Sequence, residues 1–198
     1  MASSNLLKPK TYNLKPRFGF TLIELIVVMG IVAILSSILV GYSRQSSRNL
    51  LLTSTEAKTL SLISRAKFLS IETFFEQLGQ PLGAGRICAY GVHVDYDEGE
   101  IFIFQERSTT DDCTVTDKIY NPSGEDAKLT GELDVVKVDT NILTLAGSLD
   151  NVVFVPPDPD VFINGNDTTR EAEIELGLVN DKTKFIVIVN DAGQVRAE

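Results

Sequence analysis

An unbroken apolar run near the start of the chain limits its possible folds more than any other feature. From Phe20 to Tyr42 it reads FTLIELIVVMGIVAILSSILVGY, with Glu24 the only charged side chain. As a helix these residues rise roughly 34 Å, against roughly 30 Å of bilayer hydrocarbon. The run is long enough to cross a membrane and exceeds what a small soluble core usually encloses. At 198 residues, the rest has room for one ordinary domain. The 43% hydrophobic content is that of a core-forming protein, with no collagen-like, disulfide-dense or wholly disordered signature.

Charge gives the run a direction. Residues 1–19 carry Lys8, Lys10, Lys15 and Arg17 and no acid. Basic residues before a span, and few close after it, place the N-terminal side in the cytoplasm. Residues 43–198 are then extracytoplasmic. The whole chain has 18 basic and 27 acidic residues, so residues 20–198 hold 14 and 27, a net charge of −13. A body this acidic does not favour nucleic acid, which is normally met with clustered Lys and Arg. A secretory signal peptide is the competing reading, but the run exceeds a typical h-region and ends in GYSRQSS without a well-formed small-x-small site. An acid five residues into an apolar span costs several kcal/mol unless a partner meets it. Glu24 therefore calls for a cation.

The segment Lys15-Pro16-Arg17-Phe18-Gly19-Phe20-Thr21-Leu22-Ile23-Glu24 resembles the leader junction of type IV pilins and type II secretion pseudopilins. There a membrane aspartyl peptidase cuts after the Gly on the cytoplasmic side, and the new N-terminal residue is N-methylated. The resemblance implies cleavage between Gly19 and Phe20, methylation of Phe20, and Glu24 as the assembly acid. It also implies as partners a prepilin peptidase/methyltransferase, other pilin or pseudopilin subunits, an inner-membrane assembly platform and membrane lipid. The location it implies is the bacterial cytoplasmic membrane, and a periplasmic or extracellular filament after assembly. Physical reasoning agrees: the cut creates an α-amino cation at the start of the apolar helix, and a neighbouring subunit could bring that cation to Glu24. Much of the attraction offsets desolvation, so the pair acts on axial register more than on raw stability. Gly19, lacking Cβ, lets the backbone enter a protease cleft. Many pilins have Pro where this chain has Gly41, so a fixed kink is not expected here.

Four segments follow: a cytoplasmic leader over 1–19, a transmembrane helix over 20–42, an amphipathic continuation over 43–78, and a β-rich head over 79–198. Leu52, Leu60, Ile63, Phe74 and Leu78 fall near one face of the continuation, with Ala57, Ala66 and Ile71 beside it. Gly79-Gln80-Pro81 stops it. In the head, Arg86–Tyr96 and Glu100–Glu106 read as a hairpin around Asp97-Glu98-Gly99. Cys88, Tyr90, Val92, Val94 and Tyr96 are expected to face the core, with Ala89, Gly91, His93 and Asp95 opposite. Further strands are expected at 133–138, 142–145, 151–155, 172–178, 185–190 and 195–197. The fold class is α+β: a long N-terminal helix packed on an antiparallel sheet head, pilin-like.

The stem end at Gln80-Pro81, the strand Ile87 to Val92, the segment Val153-Phe154-Val155-Pro156-Pro157 and the final hairpin Ile186–Val189 to Gly193–Val195 resemble the minor pseudopilin H and fimbrial-T-like group. Some fimbrial-T-like proteins bind DNA through C-terminal basic residues. This tail, Gln194-Val195-Arg196-Ala197-Glu198, has a single Arg, so that activity is not carried over.

Cys88 and Cys113 are the only cysteines, both expected outside the cytoplasm, where disulfides persist. A bond between them is expected. The alternative is a buried Cys88 thiol with an exposed Cys113. No catalytic pattern accompanies His93, so an enzyme is not expected. No cofactor is expected either. The acidic, Asn-rich run from Pro157 to Asp167 offers oxygens to Ca²⁺ but lacks EF-hand spacing, which leaves a solvated loop as the expectation. The alternative to a filament subunit is a membrane-anchored extracytoplasmic receptor or enzyme.

Overall fold

The computed structural model describes residues 19–77, 86–108, 112–124, 126–157 and 160–198. The expected leader residues 1–18, Leu78 and the Gly79-Gln80-Pro81 stop lie outside them. One helix, α1, runs Leu22–Gln77 without interruption through Gly30 and Gly41. The chain divides into two compact units between Arg44 and Gln45.

In the first unit, no described side chain of the helix is buried. An apolar surface of this length is costly in contact with water, which fits membrane anchoring.

In the second unit, the helix lies against two antiparallel sheets. The first contains β1 (Arg86–Asp95), β2 (Glu100–Ser108), β3 (Ala127–Lys128), β4 (Val135–Lys137), β6 (Asn151–Val155) and β7 (Asp160–Ile163), in the order β3-β2-β1-β6-β7 with β4 also paired to β2. The second contains β5 (Leu143–Gly147), β8 (Glu171–Leu178), β9 (Lys184–Asn190) and β10 (Val195–Ala197), in the order β10-β9-β8-β5. Leu52, Leu62, Ile63 and Ala66 of α1 share one core with Val92, Ile101, Ile103, Phe154, Ile174, Leu176, Val187 and Val189. The observed class is therefore the expected α+β, helix on antiparallel sheets.

The stripe expected on the helix needs correction. Leu52, Ile63 and Ala66 are buried, but so are Leu62, Thr55, Thr59 and Ser70, and Ala57 is exposed. The polar members fit because their hydroxyls are satisfied: Thr55 donates to the Leu51 carbonyl at 2.9 Å and Thr59 to the Thr55 carbonyl at 2.9 Å. Ser70 donates to the Phe154 carbonyl on β6 at 2.6 Å. Small side chains let the helix approach the sheets closely. Longer polar chains fasten its margins: Arg48 donates to the Val179 carbonyl at 2.6 Å, and Arg65 pairs with Asp134 at 2.7 Å.

The face expected to lie outside the core on β1 is also buried. Tyr90, Val92 and Val94 join the main core, with Tyr96 packed on it. On the opposite face, Ala89 forms a second cluster with Phe102, Phe104 and Val153, covered in part by Tyr120 and Phe162. Gly91 is required there, since a Cβ would come within 2.5 Å of the Phe104 ring. Cys88 leaves the expected alternation: Ile87 pairs with Arg107 and Ala89 with Glu106, so Cys88 is the extra residue of a bulge. It is bonded to Cys113, with Cα atoms 5.2 Å apart. Closing a loop of this length stabilises by about 3–4 kcal/mol on loop-entropy grounds.

Two strands were not expected. β3 is only two residues long, and β7 lies within a run rich in Asp, Asn and Pro. Each borrows its hydrogen bonds from a strong neighbour, β3 from Phe104 and Gln105 and β7 from residues 152–155. Conversely, the strand expected from Leu133 begins at Val135, because Gly131–Asp134 forms a turn closed by the Asp134 amide on the Gly131 carbonyl at 3.0 Å.

At the edge of the first sheet, Glu100 on β2 pairs with Lys128 on β3 and with Lys137 on β4, each at 2.6 Å. The hydrogen bonds from Lys128 and then Lys137 hold its carboxyl below the ordinary value of 4.5. A lowered carboxyl stabilises the fold above the unfolded value, and that contribution is lost as pH falls through the folded one. Glu100→Gln should therefore lower the melting temperature of the detergent-solubilised protein at pH 7 by about 2 °C. The difference from the unsubstituted protein should shrink as the pH is taken below the ordinary glutamate value in a melting series.

Candidate functional site: the start of the apolar helix

Gly19, Phe20 and Thr21 precede the first helical residue, Leu22. Gly19 and Phe20 are exposed, Phe20 at 82%, and nothing lies within 4 Å of where a Gly19 Cβ would be. The Gly19–Phe20 bond therefore sits in accessible, non-helical backbone.

Thr21 and Glu24 start the helix together. The Thr21 hydroxyl accepts from the Glu24 amide at 3.3 Å, while the Glu24 carboxylate accepts from both the Thr21 amide and the Thr21 hydroxyl at 3.4 Å. This reciprocal arrangement is a capping box, satisfying donors that the first turn of a helix otherwise leaves orphaned. The Thr-x-x-Glu spacing is readable in the sequence, although sequence reasoning assigned Glu24 only a charge-pairing role. Within a single chain Glu24 is not without partners. Its bonds are nonetheless loose, lying beyond the usual 2.7–3.2 Å range of N–H···O contacts. A full positive charge approaching the carboxylate would displace them.

The rest of the span presents aliphatic residues on every side, among them Ile23 at 69% and Ile34 at 62% exposure. Such a surface supports helix-to-helix or helix-to-lipid contact, and of its hydroxyls Ser37 bonds within the helix, donating to the Ile34 carbonyl at 2.8 Å. In the head, His93 is partly buried between the rings of Phe102 and Tyr120, whose centroids lie 5.2 and 5.0 Å away. Its Nδ1 is 2.9 Å from the Asn151 Oδ1. Ring packing and one hydrogen bond thus hold His93 in place. In the acidic run, Asp158 and Pro159 lie outside the described residues. The Asn164 Oδ1 accepts from the Asp150 and Asn151 amides, each at 2.9 Å.

Residues 14–40 match a family model described as the Prokaryotic N-terminal methylation motif. The matched residues contain the Gly19–Phe20 bond, the Thr21–Glu24 capping box and most of the apolar span. The match supports the type IV pilin-like superfamily and indicates a pilin-like or pseudopilin substrate of prepilin peptidase. It implies assembly with other pilins and suggests a structural, non-enzymatic protein. An apolar N-terminal helix carrying this motif fits membrane anchoring. Neither a curated protein nor a solved structure matches the chain significantly.

Thr21→Val keeps the size of the side chain and removes the cap. Loss of a Thr cap costs about 1 kcal/mol, so amide hydrogen exchange at Ile23–Leu25 in detergent micelles should accelerate roughly fivefold. Exchange in the head strands should be unchanged.

Proposed function

We propose that this chain is a structural minor pilin or pseudopilin subunit of a type IV pilus or type II secretion pseudopilus. Prepilin peptidase cuts it between Gly19 and Phe20, Phe20 is N-methylated, and the subunit enters a helical filament through its N-terminal helix. The observation that carries this reading is the placement of one acid at the start of an apolar helical span, residues 22–42, whose surface none of the described residues covers. Packing identical helices side by side in a staggered array removes that surface from lipid and water alike. The same stagger brings the new α-amino cation of one subunit to Glu24 of another. A wrong stagger leaves a carboxylate desolvated without a cation, which costs several kcal/mol, so Glu24 works as a register key.

Within the superfamily, the reading nearest the head is the minor pseudopilin H and fimbrial-T-like group. Its support is the segment Val153–Pro157 at the end of β6 and the closing β9–β10 hairpin. The acidic head keeps nucleic acid out of the proposed partners.

Mass spectrometry of the protein from cells that contain the processing peptidase should show a chain beginning at N-methylated Phe20. A chain still beginning at Met1 in such cells would favour the membrane-anchored receptor or enzyme instead. The capping box sharpens the second test, because Gln at this position can still cap while Ala cannot. If charge pairing governs assembly, Glu24→Gln and Glu24→Ala should both insert into the membrane, and both should lose most incorporation into sheared filaments. Normal incorporation of Glu24→Gln would reduce the residue to a helix cap.

A further inference from the structure

Glu106 is the least expected ionisable group in the head. It lies on β2 opposite Ala89, two and four residues beyond Phe104 and Phe102 on the same face, and is only 2% exposed. Its Oε1 accepts from the Lys118 amide at 3.2 Å, but its Oε2 has no hydrogen-bond partner among the described residues. An orphaned, buried carboxylate oxygen is costly unless a cation or proton reaches it. The Lys118 charge favours the Glu106 carboxylate, but its ammonium gives its hydrogen bonds to the Cys113 and Thr116 carbonyls at 3.0 and 3.2 Å and to the Thr116 hydroxyl. Burial, then the negative charges of Asp126 and Asp117, push the Glu106 carboxyl up to about 7.

Two other carboxylates converge on this residue. Oxygens of Glu106, Asp117 and Asp126 lie within 4.8 Å of one another. Each carboxylate is held by one oxygen on a backbone amide: Glu106 by Lys118, Asp117 by Ile119 at 3.2 Å, and Asp126 by Asn121 at 2.8 Å. The donors come from two places in the fold, β2 and the irregular 112–126 segment that overlies it. Asp117 is exposed, leaving a side open to water.

We propose that Glu106, Asp117 and Asp126 bind a calcium ion that fastens the 112–126 segment to the outer face of β2. The donor set is all hard oxygen, which excludes the soft metals and suits Ca²⁺ or Mg²⁺. Donor geometry favours calcium: three carboxylates from two separate parts of the fold form an irregular set, which a calcium sphere of six to eight oxygens tolerates, whereas magnesium demands a near-ideal octahedron. The three carboxylates and several waters complete the shell, and the Glu106 Oε2 gains the partner it lacks among the described residues. This inference concerns the head alone and stands whether or not the chain forms filaments.

The test uses the full chain, purified in detergent and stripped with EGTA, then titrated with CaCl₂ alone by calorimetry and by thermal melting. One Ca²⁺ should bind per chain, with a dissociation constant of about 0.1–1 mM, as in extracellular calcium modules. The melting temperature should rise by several degrees at millimolar calcium, and by less with the same concentration of MgCl₂. Glu106→Gln is isosteric and can still accept from the Lys118 amide. It should remain folded and lose both the binding heat and the shift. Asp117→Asn, on the exposed rim, should weaken binding at least about tenfold. Asp167→Asn, in the other acidic run, should bind like the unsubstituted protein. Absence of heat and shift in the unsubstituted protein up to about 10 mM Ca²⁺, a range well above such constants, would overturn the site. So would full binding by Glu106→Gln or loss of binding in Asp167→Asn. Equal binding of Mg²⁺ would overturn the choice of calcium.

Discussion

The exclusion of water from the helix between Phe20 and Tyr42 is the constraint on which the rest of the molecule depends. Burying one large aliphatic side chain is worth about 1.5–3 kcal/mol, and this stretch carries many such side chains with none covered among the described residues. The free energy that could hold the segment in place must come from lipid or from other helices. Between those two surroundings, apolar contacts alone discriminate weakly, since lipid tails are as apolar as Leu. Polar groups then decide where such a helix settles, and Glu24 is the charged one available. Its location in the first turn gives it two compatible tasks. In a single chain it completes the capping of its own helix, and in the proposed filament it would exchange those long, loose bonds for a neighbour's cation.

The second unit solves a different problem with the same helix. From Gln45 onward the chain must bury one face against two sheets at once. Large side chains alone would hold the helix away from the strands. The chain instead alternates Leu52, Leu62 and Ile63 with Thr55, Thr59, Ala66 and Ser70, and each buried hydroxyl returns a hydrogen bond to a nearby carbonyl. Satisfied hydroxyls of this kind cost little to bury, whereas unsatisfied ones would cost about 1–3 kcal/mol each.

The legibility of the sequence follows from this division. The apolar span was readable because length and lack of charge survive any tertiary arrangement. The β1–β2 hairpin, β6, β8 and β9 were readable because their aliphatic density exceeds anything their neighbours could override. The helix stripe was read only in part, since hydrophobicity gives no weight to a Thr or Ser whose hydroxyl bonds within the helix. β7 was hidden because Asp160, Asn164 and the prolines argue for a loop, and only pairing with β6 outweighs them. The capping box was present as Thr21-x-x-Glu24 but masked by a stronger expectation for the same glutamate. The cluster of Glu106, Asp117 and Asp126 had no spacing to recognise. It exists because the outer face of β2 is covered by a segment that returns Asp117 and Asp126 to it, and neither composition nor periodicity encodes that return.

That covering segment explains why the outer face needs fastening at all. β1 and β2 are apolar on both faces, yet α1 packs on only one, so Ala89, Phe102, Phe104 and Val153 must be sheltered by something else. Val135, Val155, Phe162 and, from the 112–126 segment, Tyr120 supply the shelter, and the described residues of that segment form one short turn of helix and no strand. A segment of that kind makes few ladder bonds of its own, so side chains and cross-links must fix it. The Cys88–Cys113 bond ties its start to the β1 bulge. In its middle, the Tyr120 amide donates to Asn151 at 3.2 Å, and the Tyr120 ring sits about 5 Å from the centroids of His93, Phe102 and Phe104. At its end, Asp126 closes a turn on the Asn121 amide directly beside Glu106. Covalent and aromatic anchors thus secure the start and middle of the segment, while at its end Asp126 and Asp117 crowd the buried Glu106, whose carboxyl their charges help to raise.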